Sequence, residues 1–573
     1  MITSIATRIR RATCAAALAM LLPALAAAQN APNVAELRTQ AEQSGFKEYT
    51  SYDNMMRYLQ DIQSRSLEMR LGTYGATHTG RQLPYAVFSR PTISQPYEAF
   101  ALGKPVLVFA AGVHGGERTL RESVLIYARE LADRTSEANR MLDDYVMVLV
   151  PQINPDGFSA EPNPTRGNTW GIDLNRDYMK LEQPEIAGYI QNVILKWMPL
   201  LFIDGHNGGS FPYNLNYQCA SHNAPDPRIS QLCDTQIFPA IDKRLATDSC
   251  KSFYYQRGDE KQWNVGGSEP RISRNYAAFM NSIGILFESP GGQPMEIGVK
   301  SGLLGYKAVA EWSRANRQTL QETVMRARRE TIAKGEKPGD SVPLAVRYEA
   351  EDKPVDYLIG QGQGDARKIV EVKGAKLMKK PVTTLERPRP YAYVLPREAT
   401  EAVALLRQHN IAVEQLTRPT QLEVTGYTVA DVTHAPQYNH AAATTMKVGE
   451  VKTFQRTFPA GSYVVRTAQM QGRVAVHLLE PESTDGVVYW NRMDAWIPRP
   501  RSATATAPAP DDDDAPQGRG GRGGGAGAGA GAGNPGGGRG GGPPQPQEPL
   551  VPIFKVMQPT TMPLMMIGDA GNR

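Results

Sequence analysis

Four short stretches of this sequence carry the side chains that metal-assisted hydrolysis requires. His114 and Glu117 stand three positions apart in Gly112-Val113-His114-Gly115-Gly116-Glu117, His206 follows Asp204-Gly205, Glu288 follows Phe287, and Arg166, Asp173, Asn175 and Arg176 lie between them. Two neutral imidazoles and one carboxylate form a zinc-binding set with a fourth position left for water. Bound zinc lowers the pKa of that water to about 7 and polarises a substrate carbonyl. A carboxylate outside the donor set, here Glu288, is suited to take the water's proton and hand it to a leaving amine. Arg166 and Arg176 offer fixed positive charge, one for a developing oxyanion and one for a substrate carboxylate, which a guanidinium fork binds well. Asp173 can orient a ligand imidazole from behind.

Taken alone, His-x-x-Glu describes a polar surface loop, and His206 or Glu288 alone describes a satisfied strand end. What joins them is the element that carries each one. Pro105 to Ala110, Leu200 to Asp204 and Ile283 to Phe287 are apolar runs of strand length, and each ends by presenting His or Glu beside glycine. A fourth run, Tyr145 to Val150, feeds the turn Asn154-Pro155-Asp156-Gly157 and the loop with Arg166. Amphipathic stretches at Arg118 to Leu131 and Glu182 to Trp197 alternate with these runs as helices. Strand ends of an alternating α/β chain converge on one edge of the sheet, the usual place for a ligand. Of the eight histidines, His78, His222, His409, His434, His440 and His477 lack this setting.

His114-Gly-Gly-Glu117, Asn154-Pro-Asp-Gly157, Arg166, Gly171-Ile-Asp-Leu-Asn-Arg176, Asp204-Gly-His206 and Phe287-Glu288 together resemble the zinc carboxypeptidase (M14) family, in the family's order, over about residues 45–325. The resemblance implies an α/β/α sandwich around a mixed, mostly parallel eight-stranded sheet. It implies one zinc per chain held by His114, Glu117 and His206, with Asp173 behind His114 and Glu288 as general base and acid. Arg166 would stabilise the oxyanion, while Asn175 and Arg176 would hold the terminal carboxylate of a peptide. Tyr255 and Tyr276 are both candidates for the tyrosine that covers the substrate, and the specificity pocket falls between Trp263 and Ile285.

The rest of the chain sets the context. With 573 residues there is room for two or more domains, and a net charge of +5 from well-mixed residues supplies no footprint for nucleic acid. Arg8, Arg10 and Arg11 precede an apolar run from Ala15 to Ala28, as in a secretory signal peptide; no later stretch is long and apolar enough to span a membrane. The expected organisation is a signal at 1–28, a catalytic domain at 29–333, a β-rich accessory domain at 343–501, a Gly/Ala/Pro-rich segment at 502–549 and a tail at 550–573. Ser51 is read as the cap of a helix, Leu303 to Ile332 as one helix, 334–342 as a linker, and Val474 to Leu479 as a strand. Export to the periplasm or outside the cell permits one disulfide among Cys219, Cys233 and Cys250. The functional expectation is a metallocarboxypeptidase acting on peptides, and nothing in the sequence sets an oligomeric state. The same donor set would serve a peptidoglycan-stem carboxypeptidase or an N-acyl amino acid deacylase, and a non-catalytic binding protein on this fold is the alternative of another class.

Overall fold

Runs of apolar residues without polar alternation belong to strands covered on both faces, and they build the centre of this chain. A computed structural model describes residues 33–362, 367–435, 437, 439–497 and 549–568. The signal at 1–28 and, apart from Pro549, the Gly/Ala/Pro-rich segment lie outside the described residues. In chain order the first ten strands are β1 (Met69–Ala76), β2 (Gln82–Phe88), β3 (Val106–Ala111), β4 (Val146–Val150), β5 (Leu201–His206), β6 (Leu215–Gln218), β7 (Ser252–Tyr254), β8 (Gln256–Gly258), β9 (Gln262–Val265) and β10 (Ile283–Glu288). Eight of them form one mixed sheet in the order β1-β2-β4-β3-β5-β10-β6-β7. Its middle, β4-β3-β5-β10, is parallel throughout.

Side chains alternate across a strand, so β3, β4 and β5 feed two apolar layers at once. Leu107, Phe109, Met147, Leu149, Leu201 and Ile203 point to one face and pack with helices Tyr52–Arg65, Thr119–Ala132 and Met295–Ala315. Ser51 caps the first of these, its Oγ accepting from the Asn54 amide at 3.3 Å. Val106, Val108, Val146, Val148 and Phe202 point to the other face, under the helical stretch 184–197 and helix Ser273–Phe279. The result is an α/β/α sandwich around an eight-stranded sheet, as the sequence leads one to expect.

The second face is not closed by those two helical stretches alone. Tyr393, Leu395, Leu406, Val474, Leu478 and Val488 from the C-terminal part belong to the same apolar cluster as Tyr178, Phe202, Tyr276 and Phe279. That part contains β11 (Ser341–Ala350), β12 (Val355–Gln361), β13 (Lys368–Pro388), β14 (Ala392–Leu395), β15 (Glu414–Leu416), β16 (Thr420–His434), β17 (Thr444–Phe458), β18 (Tyr463–Arg466), β19 (Phe554–Val556) and β20 (Leu564–Met566). Seven of these strands make a second sheet, β17-β16-β19-β14-β18-β15-β20. The twenty-one-residue β13 instead runs beside β9, with Lys376 opposite Gln262 and Met378 opposite Asn264.

Three expectations need correcting. Val474 to Leu479 is not a strand but lies in the helix Gly472–Leu479, all of whose residues are buried. An element buried all round loses the polar alternation that tells helix from strand. Leu303 to Ile332 divides into helices Met295–Ala315 and Arg317–Glu336, broken at Asn316. The stretch read as a linker from 334 is helical through Glu336 and enters β11 at Ser341. Cys219 pairs with Cys233, while Cys250 is free and buried.

Three buried histidines line the contact between the two parts. His409 accepts a hydrogen bond from the Tyr276 hydroxyl at 2.8 Å on Nδ1 and donates from Nε2 to the Met179 carbonyl at 3.0 Å. His222 and His477 stack edge to face against Phe279. Burial pulls the pKa of His222 and His409 down from 6.5 to about 4 and that of His477 well below its ordinary value. The unfolded chain therefore binds these protons first as pH falls. Their contribution is complete above about 6.5 and is lost toward 4, at about 1.4 kcal/mol per pH unit for each residue. The melting temperature should drop steeply between pH 7 and pH 4.5. His409→Gln keeps a donor and an acceptor without a titration, so it should lower stability at pH 7 but show a shallower acid loss in calorimetry.

Candidate metal and active site

The C-terminal end of β3 turns at Gly112, whose backbone is left-handed (φ 72°), into the loop carrying His114 and Glu117. This loop is pressed against the Asn-Pro-Asp-Gly turn after β4. A Cβ on Gly115 would come within 2.1 Å of the Gly157 carbonyl carbon, so only glycine fits. Backbone bonds secure the approach. Asn154 N–H donates to Gly112 O at 2.8 Å, Gly116 N–H to Thr165 O at 2.9 Å, and Gly115 N–H to Arg166 O at 3.3 Å. The turn therefore serves as a bracket between the His114 loop and the Arg166 loop.

His114, Glu117 and His206 converge, with one donor atom from each lying within 4.8 Å of the others. His114 Nδ1 and His206 Nδ1 each lie 2.9 Å from a different oxygen of Glu117. The two Nδ1 atoms are 3.2 Å apart. On the far side of each ring, Nε2 is held by a buried carboxylate, at 2.9 Å by Asp173 Oδ1 for His114 and at 2.9 Å by Asp204 Oδ2 for His206. Burial opposes charge on Asp173, but His114, Arg176 and Arg166 outweigh it and hold its carboxyl well below the usual range. Carboxylates behind both rings accept from Nε2–H, which fixes that tautomer and leaves both Nδ1 lone pairs facing inward. Two imidazole nitrogens and a carboxylate aimed at one point are the donors a zinc ion takes, so these residues fit the metal.

The remaining residues of interest surround this point. Glu288 ends β10 directly beside His206 in the parallel register with β5. It crowds Gly208 so closely that a Cβ there would lie 2.6 Å from its Oε2. Arg166 donates from Nε to Asp173 Oδ2 at 2.9 Å and from Nη1 to Glu117 Oε1 at 3.2 Å, with its side chain still 42% exposed. Asn175 receives the Ser273 N–H on its side-chain oxygen at 2.9 Å, which directs its NH₂ end to the open side. His114, Glu117, His206, Arg166, Asn175 and Glu288 all line one cavity of about 450 Å³. Arg176 does not; it is buried behind Asn175, donating to that residue's carbonyl at 3.1 Å. Tyr255 lines the cavity, whereas Tyr276 is fully buried against His409.

Several residues of this network are absent from the sequence-based reading. Asp204 had a usable signal, because residues two apart on a strand share a face and so Asp204 lies beside His206. Asn207 joins the second histidine loop to the first, its N–H donating to Glu117 Oε2 at 3.0 Å and its side-chain oxygen accepting from Thr119 N at 2.9 Å. Ser273 Oγ donates to Asp204 Oδ2 at 2.5 Å. Neither of these last two carries a motif. Replacing Asp204 by Asn would weaken the grip on His206 Nε2 and lower the basicity of Nδ1. Metal affinity, measured by competition with a chromogenic chelator, should fall on the order of 10–100-fold with the fold retained.

Comparison with known proteins points the same way. Residues 55–264 match the family model described as zinc carboxypeptidase, peptidase M14. Carboxypeptidase 2 of Trichophyton rubrum is 24% identical over 430 residues, covering 71% of this chain and 77% of its own. Carboxypeptidase D of Drosophila melanogaster is 30% identical over 195 residues, 28% of this chain and 13% of its own. Among solved structures, a metallo-carboxypeptidase from Burkholderia cenocepacia overlaps 47% of this chain and 70% of its own at 18% identity, with a TM-score of 0.38. Residues 55–264 are thus similar to the zinc carboxypeptidase (M14) family, and the chain is a hydrolase that acts on peptide bonds.

Proposed function

We propose that this chain removes single C-terminal residues from peptides bearing a free terminal carboxylate, using one zinc ion held by His114, Glu117 and His206. The observation that carries the reading is that Glu288 pairs beside His206 and lines the same cavity as the three donors. Zinc, when bound, polarises the scissile carbonyl and makes hydroxide available near neutral pH. Glu288 accepts a proton from the attacking water and delivers it to the departing amine. Arg166 has its Nε fixed by Asp173, which keeps the guanidinium pre-oriented toward an oxyanion developing over the donor set. The Asn175 NH₂ end receives the terminal carboxylate. Arg176, buried directly behind, contributes positive charge to that corner and braces Asn175 through its carbonyl. Tyr255, which lines the cavity, covers a bound peptide in this reading. The signal read at 1–28 would expose the enzyme to periplasmic or extracellular peptides.

The test is hydrolysis of a mixed peptide library, followed by mass spectrometry with and without chelator, beside the zinc content of the protein. Chelator-sensitive loss of single C-terminal residues, from free but not amidated peptides, is the expected result. Zinc without such cleavage would move the assignment to cell-wall stem peptides or acyl amino acids. Glu288→Gln should retain about one zinc per chain while kcat falls on the order of 10²–10⁴-fold. Substantial turnover in that variant would remove Glu288 from the proton transfer.

A further inference from the structure

Among the described residues, one side chain of the C-terminal part bonds directly to Asp173. The Asp173 backbone N–H donates to Asn439 Oδ1 at 2.9 Å, across 266 positions of sequence. A backbone N–H can only donate, so the oxygen end of the amide must face Asp173. Asn439 holds a left-handed backbone (φ 50°), which asparagine tolerates better than other side chains and which turns the amide toward Asp173. Its Nδ2 is buried and has no hydrogen-bond partner among the described residues. Among the described residues, the side chain is held there by its bond to Asp173. The neighbouring residue anchors the loop: His440 bonds Glu182 Oε2 at 2.9 Å through Nδ1 and Asn491 Oδ1 at 2.7 Å through Nε2, with its ring edge-on to Trp490.

Asp173 is the residue whose position matters most in that loop. One carboxylate oxygen holds the His114 ring and the other holds Arg166 Nε, while Oδ1 also accepts its own chain's Asn175 N–H at 2.8 Å. Asp173 sits at the N-terminal edge of a three-residue turn of 3₁₀-helix, Leu174–Arg176, rather than on a strand or long helix. Such a short element supplies little rigidity of its own. A displacement of Asp173 would rotate the imidazole donor and the oxyanion guanidinium together.

We propose that Asn439 is a positioning residue of the active site: by holding the Asp173 amide, the C-terminal part sets the orientation of His114 and Arg166. The inference rests on the assignment of the His114, Glu117 and His206 site to zinc, and two of its readouts do not depend on peptide cleavage.

Asn439→Gly keeps the left-handed backbone and deletes the acceptor. It should lower kcat about tenfold with KM nearly unchanged, and lower zinc affinity severalfold in chelator competition, while the melting temperature stays within a few degrees. These sizes correspond to the loss of one outer hydrogen bond at a metal site. In an Asp173→Ala background the same substitution should have no further effect on zinc affinity, because residues acting through one another are not additive. Hydrogen exchange of the unaltered protein supplies a check that needs no variant, since the Asp173 amide should be protected. Wild-type zinc affinity and kcat in Asn439→Gly, an equal loss in both backgrounds, or rapid exchange at Asp173 would each overturn the assignment. If the chain binds zinc but cleaves no peptide, the zinc affinities and amide protection still decide the role of Asn439, so its failure and that of the proposed reaction remain distinct.

Discussion

The grip of a buried carboxylate on the back of His114 and of His206 determines the chemistry of the whole site. Asp173 and Asp204 each hold an Nε2, so both Nδ1 atoms turn inward toward Glu117. A buried carboxylate is costly unless charge and hydrogen bonds compensate it, the penalty being several kcal/mol for a lone ion. Asp173 meets this with partners on both oxygens, and Asp204 with two partners on Oδ2. Asp204 accepts from His206 and from the Ser273 hydroxyl, and Asp173 accepts from His114, Arg166 and the Asn175 amide. Each added partner is also a working residue or touches one. Ser273, which satisfies Asp204, holds the oxygen of Asn175 as well. The requirement to satisfy two buried carboxylates therefore couples the donor set to residues that line the cavity.

The two histidines are supported on unlike ground. His206 belongs to β5 itself and takes its position from the register with β10, so Glu288 and His206 come together through strand pairing. His114 lies beyond the end of β3, on a loop, and its carboxylate partner lies on a second loop. Loops carry function but need a scaffold to place them. Here the close approach of Gly115 to Gly157 braces the first loop. The second is braced from outside the central sheet, by Asn439 at Asp173, by Met179 bonded to His409, and by Glu182 paired with His440 and Arg492.

How far the sequence foretells this arrangement depends on whether a residue's role is local. His114, Glu117, His206 and Glu288 are legible because each ends an apolar run, and the sheet's connectivity brings such ends together. Asp204 is legible from the two-residue period of the strand that also carries His206. Arg176 reads as a ligand-facing cation from its neighbour Asn175, yet the tight turn at 174–176 buries it and leaves Asn175 to face the cavity. Tyr255 and Tyr276 are equivalent on paper and are separated only by a distant partner, His409, which claims the second. Asn439 has no signal at all, since its meaning lies in one backbone amide 266 positions away. The buried helix Gly472–Leu479 is misread for a related reason: what covers it on every side comes from elsewhere in the chain.

The C-terminal part is tied to the site by the way the sheet is covered. One face has the long helix Met295–Ala315, twenty-one residues, together with Thr119–Ala132 and Tyr52–Arg65. The other has the stretch 184–197 and the seven-residue helix Ser273–Phe279. At about 25 cal/mol per Å² of apolar surface, leaving Tyr178, Tyr276 and Phe279 open to water would be a large loss for a domain of marginal stability. The side chains that cover them are Leu406, Val474 and Leu478 and their neighbours, from beyond residue 390. The loop from Asp173 to Glu182 is therefore sandwiched between the sheet edge and the C-terminal part, with polar contacts made to both. A chain that needs this second part to complete its core also acquires, from the same docking, the bond that steadies Asp173.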